Sequence, residues 1–135
     1  MENIYVKYIL TCEKVKRNKD NSMNYQHVFE QLKLDNLPTK KNFFLVAGIE
    51  YQVEKKTKLK IFVTGPNDKK LSKSPIDIIL EPTLNNSKFA LGAIEFKNFP
   101  ITEGGIYSIT IRNKDIILAR QDFEVFSSQL EGVGV

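Results

Sequence analysis

A small chain most readily builds a reactive centre from cysteine and histidine, and this 135-residue chain has one of each, Cys12 and His27. A serine- or cysteine-type centre needs a base beside the nucleophile and a third group to hold that base. Cys12 and His27 could sit on neighbouring strands, but the sequence around them offers no context for an activated thiol. Cys12 ends the alternating run Ile4, Val6, Tyr8, Leu10, Cys12, which directs all five to one strand face and makes Cys12 a small buried hydrophobe. His27 reads as an exposed or hydrogen-bonded strand histidine. Structural zinc needs several Cys and His ligands, more than one of each can supply. Calcium needs oxygen ligands converging from loops, whereas Asp20, Asp35, Asp68, Glu103 and Asp115 are dispersed along the chain. Gly104-Gly105 is followed by Ile106-Tyr107 and not by the Lys and Ser/Thr of a phosphate loop. The expectation is no catalytic residue, no metal, no cofactor and no enzyme.

The remaining chemistry is charge. Residues 1–73 hold 15 Lys/Arg against 8 Asp/Glu, and residues 74–135 hold 5 against 8, so a basic first half of +7 and an acidic second half of −3 make up the net +4. Three clusters stand out: KVKRNK at 14–19, KKTKLK at 55–60 and KKLSK at 69–73. Lys14, Lys16, Arg17, Lys55, Lys56, Lys58, Lys69 and Lys70 are the candidate basic binding surface. Nucleic-acid binding would use such a patch for phosphates and aromatic rings for stacking. Only three Arg and no Trp argue against sequence-specific recognition. Lysines that keep turns and sheet edges soluble are the plainer reading.

These residues must be positioned by strands. The closing segment Phe99–Val125 carries Tyr107, Ile109 and Ile111 at every second position. A reversal at Asn113-Lys114-Asp115 follows, and a second apolar run returns to Phe123 and Val125. So short a connection requires antiparallel pairing. Tyr107 follows the Gly104-Gly105 turn either as a corner tyrosine bonding nearby backbone or as an ordinary core aromatic. Upstream, strands are expected over Asn3–Val15, Met23–Leu34, Phe43–Val53, Leu59–Val63, Ile76–Leu80 and Phe89–Phe96. An amphipathic helix competes for Tyr25–Leu34. Phe43, Leu45, Ala47, Ile49, Tyr51 and Val53 share one face, and a change of phase near Gly92-Ala93 predicts a β-bulge there. About eight short strands without a long helix predict an all-β, antiparallel two-sheet sandwich, immunoglobulin-like, with a closed β-barrel as the alternative.

The length and a 41% hydrophobic fraction fit one domain over residues 1–135 with a core that needs no staples. A lone cysteine forms no internal disulfide, so nothing requires an oxidising compartment. The N-terminal stretch is interrupted by Lys7 and reads as a strand and not as a signal peptide. No run approaches the roughly 18 apolar residues of a membrane span. A cytoplasmic protein with no membrane partner is expected.

Several positions resemble a bacterial family of small single-domain β-sandwich proteins with no assigned function. They are Tyr8-Ile9-Leu10-Thr11-Cys12-Glu13, the polar turn KRNKDNS, Val28-Phe29, Leu37-Pro38, Phe99-Pro100, Gly105-x-Tyr107 and Phe123-x-Val125. The resemblance implies the sandwich and transfers no catalytic or binding residue. The expected function is a non-enzymatic protein-binding or assembly module acting through loops or a free sheet edge. Its partner is another protein, or a second copy joined through a sheet edge. The alternative is a basic-surface, non-specific nucleic-acid binder.

Overall fold

Alternating apolar residues need two sheets to bury them, and the computed structural model, which describes residues 2–71 and 76–127, forms two. Among the described residues nine strands run in the order β1 (Asn3–Arg17), β2 (Met23–Val28), β3 (Gln31–Leu34), β4 (Thr39–Gln52), β5 (Thr57–Thr64), β6 (Ile76–Leu80), β7 (Lys88–Ile101), β8 (Gly105–Asn113) and β9 (Ile116–Ser127). Among the described residues one 3-10 turn, Pro66–Asp68, follows β5. The four-stranded sheet has the order β2-β1-β4-β7 and the five-stranded sheet β3-β9-β8-β5-β6. The sheets face each other as a sandwich and do not close into a barrel. Every pairing is antiparallel except that of β3 with β9, which is parallel.

Three sequence expectations are corrected in detail. Met23–Leu34 is neither one strand nor a helix. His27 adopts a left-handed φ of 59° and the chain leaves the first sheet at Phe29 to enter the second as β3. Thr11 holds that crossing from below: the Phe29 N–H donates to the Thr11 carbonyl at 3.0 Å, and Thr11 Oγ1 donates to the Phe29 carbonyl at 2.7 Å. The bulge in β7 is not at Gly92, which stays in register opposite Ala47. It lies at Lys97-Asn98, where three steps of β7 oppose two of β4 and Asn98 has φ of 51°. A second bulge interrupts β1 between Val6 and Tyr8. It carries Ile4 and Val6 to the core but turns Tyr8, Leu10 and Cys12 to the opposite face, so the five do not share one face as their spacing suggested.

The core lies between the sheets and is richest in rings at one end. Phe43 has Phe96, Phe123, Phe99 and Phe29 at centroid distances of 4.9, 5.4, 5.5 and 5.9 Å. Tyr107 stacks on Phe123 at 5.3 Å. The Tyr107 hydroxyl donates to the Glu103 carbonyl at 2.7 Å, four residues upstream, so the corner reading holds and the ring is buried as well. Truncating that ring with Tyr107→Ala should destabilise the protein by about 3–5 kcal/mol. Tyr107→Phe keeps the ring and loses only the corner bond, which should cost about 1 kcal/mol. Urea denaturation of both variants checks the ranking, and equal losses would remove the ring from its place in the core.

Candidate functional site

Charge is the clearest chemical signal in the sequence. All eight candidates are exposed. Pairing of Asn3 with Gln52 and of Cys12 with Phe44 places the end of β1 at the pole opposite the β4–β5 turn. Lys14, Lys16 and Arg17 therefore share a pole with Lys69 and Lys70, which follow the far end of β5, while Lys55, Lys56 and Lys58 occupy the other pole. The eight residues of β5 alone separate the poles by roughly 25 Å, well beyond the Debye length of ~8 Å at physiological salt. Lys58 also lies 3.6 Å from Asp77, and Lys56 4.0 Å from Glu81. Lys73 of the third cluster lies outside the described residues.

Cys12 is completely buried, and burial pushes its thiol up, against a smaller opposing effect of a backbone hydrogen bond at Lys14. A protonated thiol is a poor nucleophile. Cys12 pairs with Val28, the last residue of β2, and the exposed His27 is the residue before it. An open groove of about 1060 Å³ lies between the β2–β3 crossing and β9. Its polar groups are turned on one another. Arg120 Nε donates to Asp122 Oδ1 at 2.8 Å and Arg120 Nη2 donates to Ser108 Oγ at 3.1 Å. Burial raises the Asp122 carboxyl, but hydrogen bonds from Arg120 and Ser108 outweigh it and leave the group below its ordinary value. Ser108 thus faces a guanidinium and a carboxylate. Among the described residues no three His, Cys, Asp or Glu side chains converge to hold a metal.

The feature that the sequence reading missed is the outer face of the four-stranded sheet. Register places Tyr5, Glu50 and Phe89 in one row across β1, β4 and β7. The next rows are Tyr8, Gly48 and Leu91, then Leu10, Val46 and Ala93, then Cys12, Phe44 and Glu95. The core uses the alternate residues of β4, Phe43 to Tyr51, so all four rows point away from it. Tyr5 is 60% exposed, Phe89 57%, and Tyr8 and Leu91 38% each. Cys12 and Val46 are nonetheless fully buried, outside the core cluster, by their neighbours on this face. Gly48 is what lets the rings lie flat. A Cβ there would collide with the Tyr8 ring and stand 2.9 Å from Phe89 Cζ, and those two rings sit 6.4 Å apart. One charge lies within the first row, Glu50 between Tyr5 and Phe89 with Lys7 Nζ 3.1 Å away, and the pair of Lys97 Nζ with Glu95 at 3.7 Å borders the patch. An apolar, aromatic centre with a charged rim is the composition of protein interfaces. The available signal was that both phases of Phe43–Val46 and of Phe89–Ile94 are apolar.

Comparison with known proteins comes down to fold. A family model described as a family of unknown function (DUF6941) matches residues 7–126. An immunoglobulin-like protein from Pseudomonas aeruginosa is similar over 92% of this chain and 97% of its own, at 13% identity and a TM-score of 0.51. A β-glucosidase from Listeria innocua is similar over 93% of this chain at 8% identity and a TM-score of 0.52, but the match spans only 16% of the glucosidase. Among curated proteins none matches the chain. At such identities the likeness shows an immunoglobulin-like sandwich and nothing about a site.

The packing of the aromatic face has a titration signature. Tyr25 of β2 is pushed up to about 12, first by burial and then by a hydrogen bond with Tyr8. A pKa raised above the ordinary 10.0 favours the neutral phenol in the fold. Its contribution is therefore complete below pH 10 and is lost as pH rises through about 12. Urea denaturation across that window should show stability falling less steeply in Tyr25→Phe than in the parent chain. Identical slopes would mean that Tyr25 is not desolvated beside Tyr8.

Proposed function

The chain belongs to the family of unknown function DUF6941, which carries no assigned role, and on that premise we propose that it is a non-enzymatic protein-binding module whose aromatic sheet face holds a partner. The observation that carries this reading is the contiguous set Tyr5, Tyr8, Phe89 and Leu91, standing exposed over a sheet whose other face already fills the core. Burying aromatic rings yields large contact area at small entropic cost, since each ring has few rotatable bonds. The charged rim would set orientation and the apolar centre affinity. The partner is another protein with an apolar patch of its own. The setting is the cytoplasm of a bacterial cell, a reading that follows the family resemblance and a lone buried thiol that needs no oxidising compartment. Among the described residues no helix is long and apolar enough to cross a membrane.

Co-purification from the source cell tests this, comparing the parent chain with a Tyr5→Glu, Tyr8→Glu variant of unchanged fold. The parent should retain a protein partner at physiological salt, because apolar burial is not screened by ions, and the variant should lose it. Nucleic acid in the eluate, kept by the tyrosine variant and lost when Lys55, Lys56 and Lys58 become Glu, would instead establish the nucleic-acid binder.

A further inference from the structure

The groove beside β9 runs along a stretch of backbone that lacks a strand on one side. Glu124 donates its N–H to the Glu30 carbonyl at 2.8 Å, on the side of β9 that faces away from β8. Peptide groups alternate in direction along a strand, so every second residue turns its N–H and C=O the same way. With β8 and β9 in unbroken register here, Asp122 and Arg120 present theirs to that same side. β3 does not reach them. Its pairing with β9 begins at Gln31 opposite Glu124, and the Phe29 N–H has already turned to the Thr11 carbonyl of the first sheet. At Asp122 a side chain stands in for the missing strand, with Gln121 Nε2 donating to the Asp122 carbonyl at 3.2 Å. Edge groups of this kind are what an added strand bonds.

The groove walls define the strand that fits. Register sets Glu124 opposite Ile106, Asp122 opposite Ser108 and Arg120 opposite Thr110, all on the outer face, while Gln121 and Phe123 share the core face with Ile109 and Tyr107. Residues side by side on adjacent strands share a face. A guest residue beside Gln121 therefore points inward, toward the first sheet, where Val28 and Phe29 line the groove. Val28 is 55% exposed, so this inward residue is apolar. A guest residue beside Asp122 points outward and meets charge. Glu30, Asp122 and Glu124 line the groove against the one guanidinium of Arg120, which is engaged with Asp122 and Ser108. Among the described residues no ion pair reaches Glu30 or Glu124. On a chain of net charge +4 the groove is thus locally acidic. A lysine or arginine fits beside Asp122, and an uncharged residue beside Arg120.

We propose that this groove is a strand-addition site for an extended segment of a protein partner, carrying an apolar residue beside Gln121 and a lysine or arginine beside Asp122. The segment's backbone bonds Arg120 and Asp122, in line with β3, and its cation lies among Glu30, Asp122 and Glu124. The site belongs to the edge of the five-stranded sheet and stands separately from the aromatic face of the four-stranded one.

Calorimetric titration of the full chain with an end-blocked peptide, lysine-valine-serine-valine-lysine, tests this. The peptide reads the same in both directions, so a parallel and an antiparallel guest each set valine beside Gln121, lysine beside Asp122 and serine beside Arg120. Saturable binding with Kd below about 1 mM is expected. Exchanging both lysines for glutamate should abolish it. The variant Glu30→Gln, Glu124→Gln should weaken it about tenfold, a loss of charge pairing alone. Neither side chain is buried, so the variant should fold. Hydrogen exchange at the Arg120 and Asp122 amides should slow by about tenfold or more when the peptide saturates the chain. No binding at about 1 mM, equal binding of the glutamate peptide, or unchanged exchange at Asp122 overturns the proposal. So does indifference to the Glu30→Gln, Glu124→Gln change. Peptide binding that survives in the Tyr5→Glu, Tyr8→Glu variant supports the groove, and binding lost there would place the peptide on the aromatic face and overturn it.

Discussion

Phe43 sits where rings from both sheets and from the β2–β3 crossing converge, and the rest of the sandwich is arranged to bring them there. Phe29 arrives on the β2–β3 crossing, Phe96 and Phe99 on β7, and Phe123 on β9. Phe96 and Phe99 are three residues apart, and in an unbroken strand they would point to opposite faces. The bulge at Lys97-Asn98 corrects the phase, so both rings reach Phe43. Asn98 takes a left-handed conformation to do so, and its N–H is satisfied by Asn42 Oδ1 at 2.7 Å. The local strain of one residue is thereby offset by two aromatic contacts at the centre of the core.

The bulge near Lys7 does the complementary thing in β1. By shifting phase after Val6 it keeps Ile4, Val6 and Ile9 on the core and sends Tyr8, Leu10 and Cys12 outward. The outer face of the four-stranded sheet thus collects a second, smaller layer of apolar side chains. That layer is only partly closed. Cys12 and Val46 are sealed beneath their neighbours, while Tyr5, Phe89, Tyr8 and Leu91 keep substantial exposure. A sheet with apolar residues on both faces is normally covered on both, which is the physical reason this face is read as a surface for another molecule. Such a surface is a property of phase and register, and likeness to an immunoglobulin-like protein or to part of a glucosidase conveys neither.

The sequence alone was sufficient for the class of fold. Period-two alternation in Phe43–Val53, Leu59–Val63 and Tyr107–Ile111 identifies strands because a half-buried pleat admits no other pattern, and those residues are the buried ones. The corner at Tyr107 and the reversal before Ile116 were legible for the same local reason. What only the tertiary structure decided is which face each residue takes once the phase has slipped. Bulges at Lys7 and at Lys97-Asn98 depend on how β1 and β7 pair with β4, and no local propensity announces such a long-range register. The left-handed turn at His27 and the parallel pairing of β3 with β9 likewise arise from the crossing held by Thr11, eighteen residues away in the chain. The lysine clusters show the same limit: their charge is written in the sequence, but their division between opposite poles follows from strand direction.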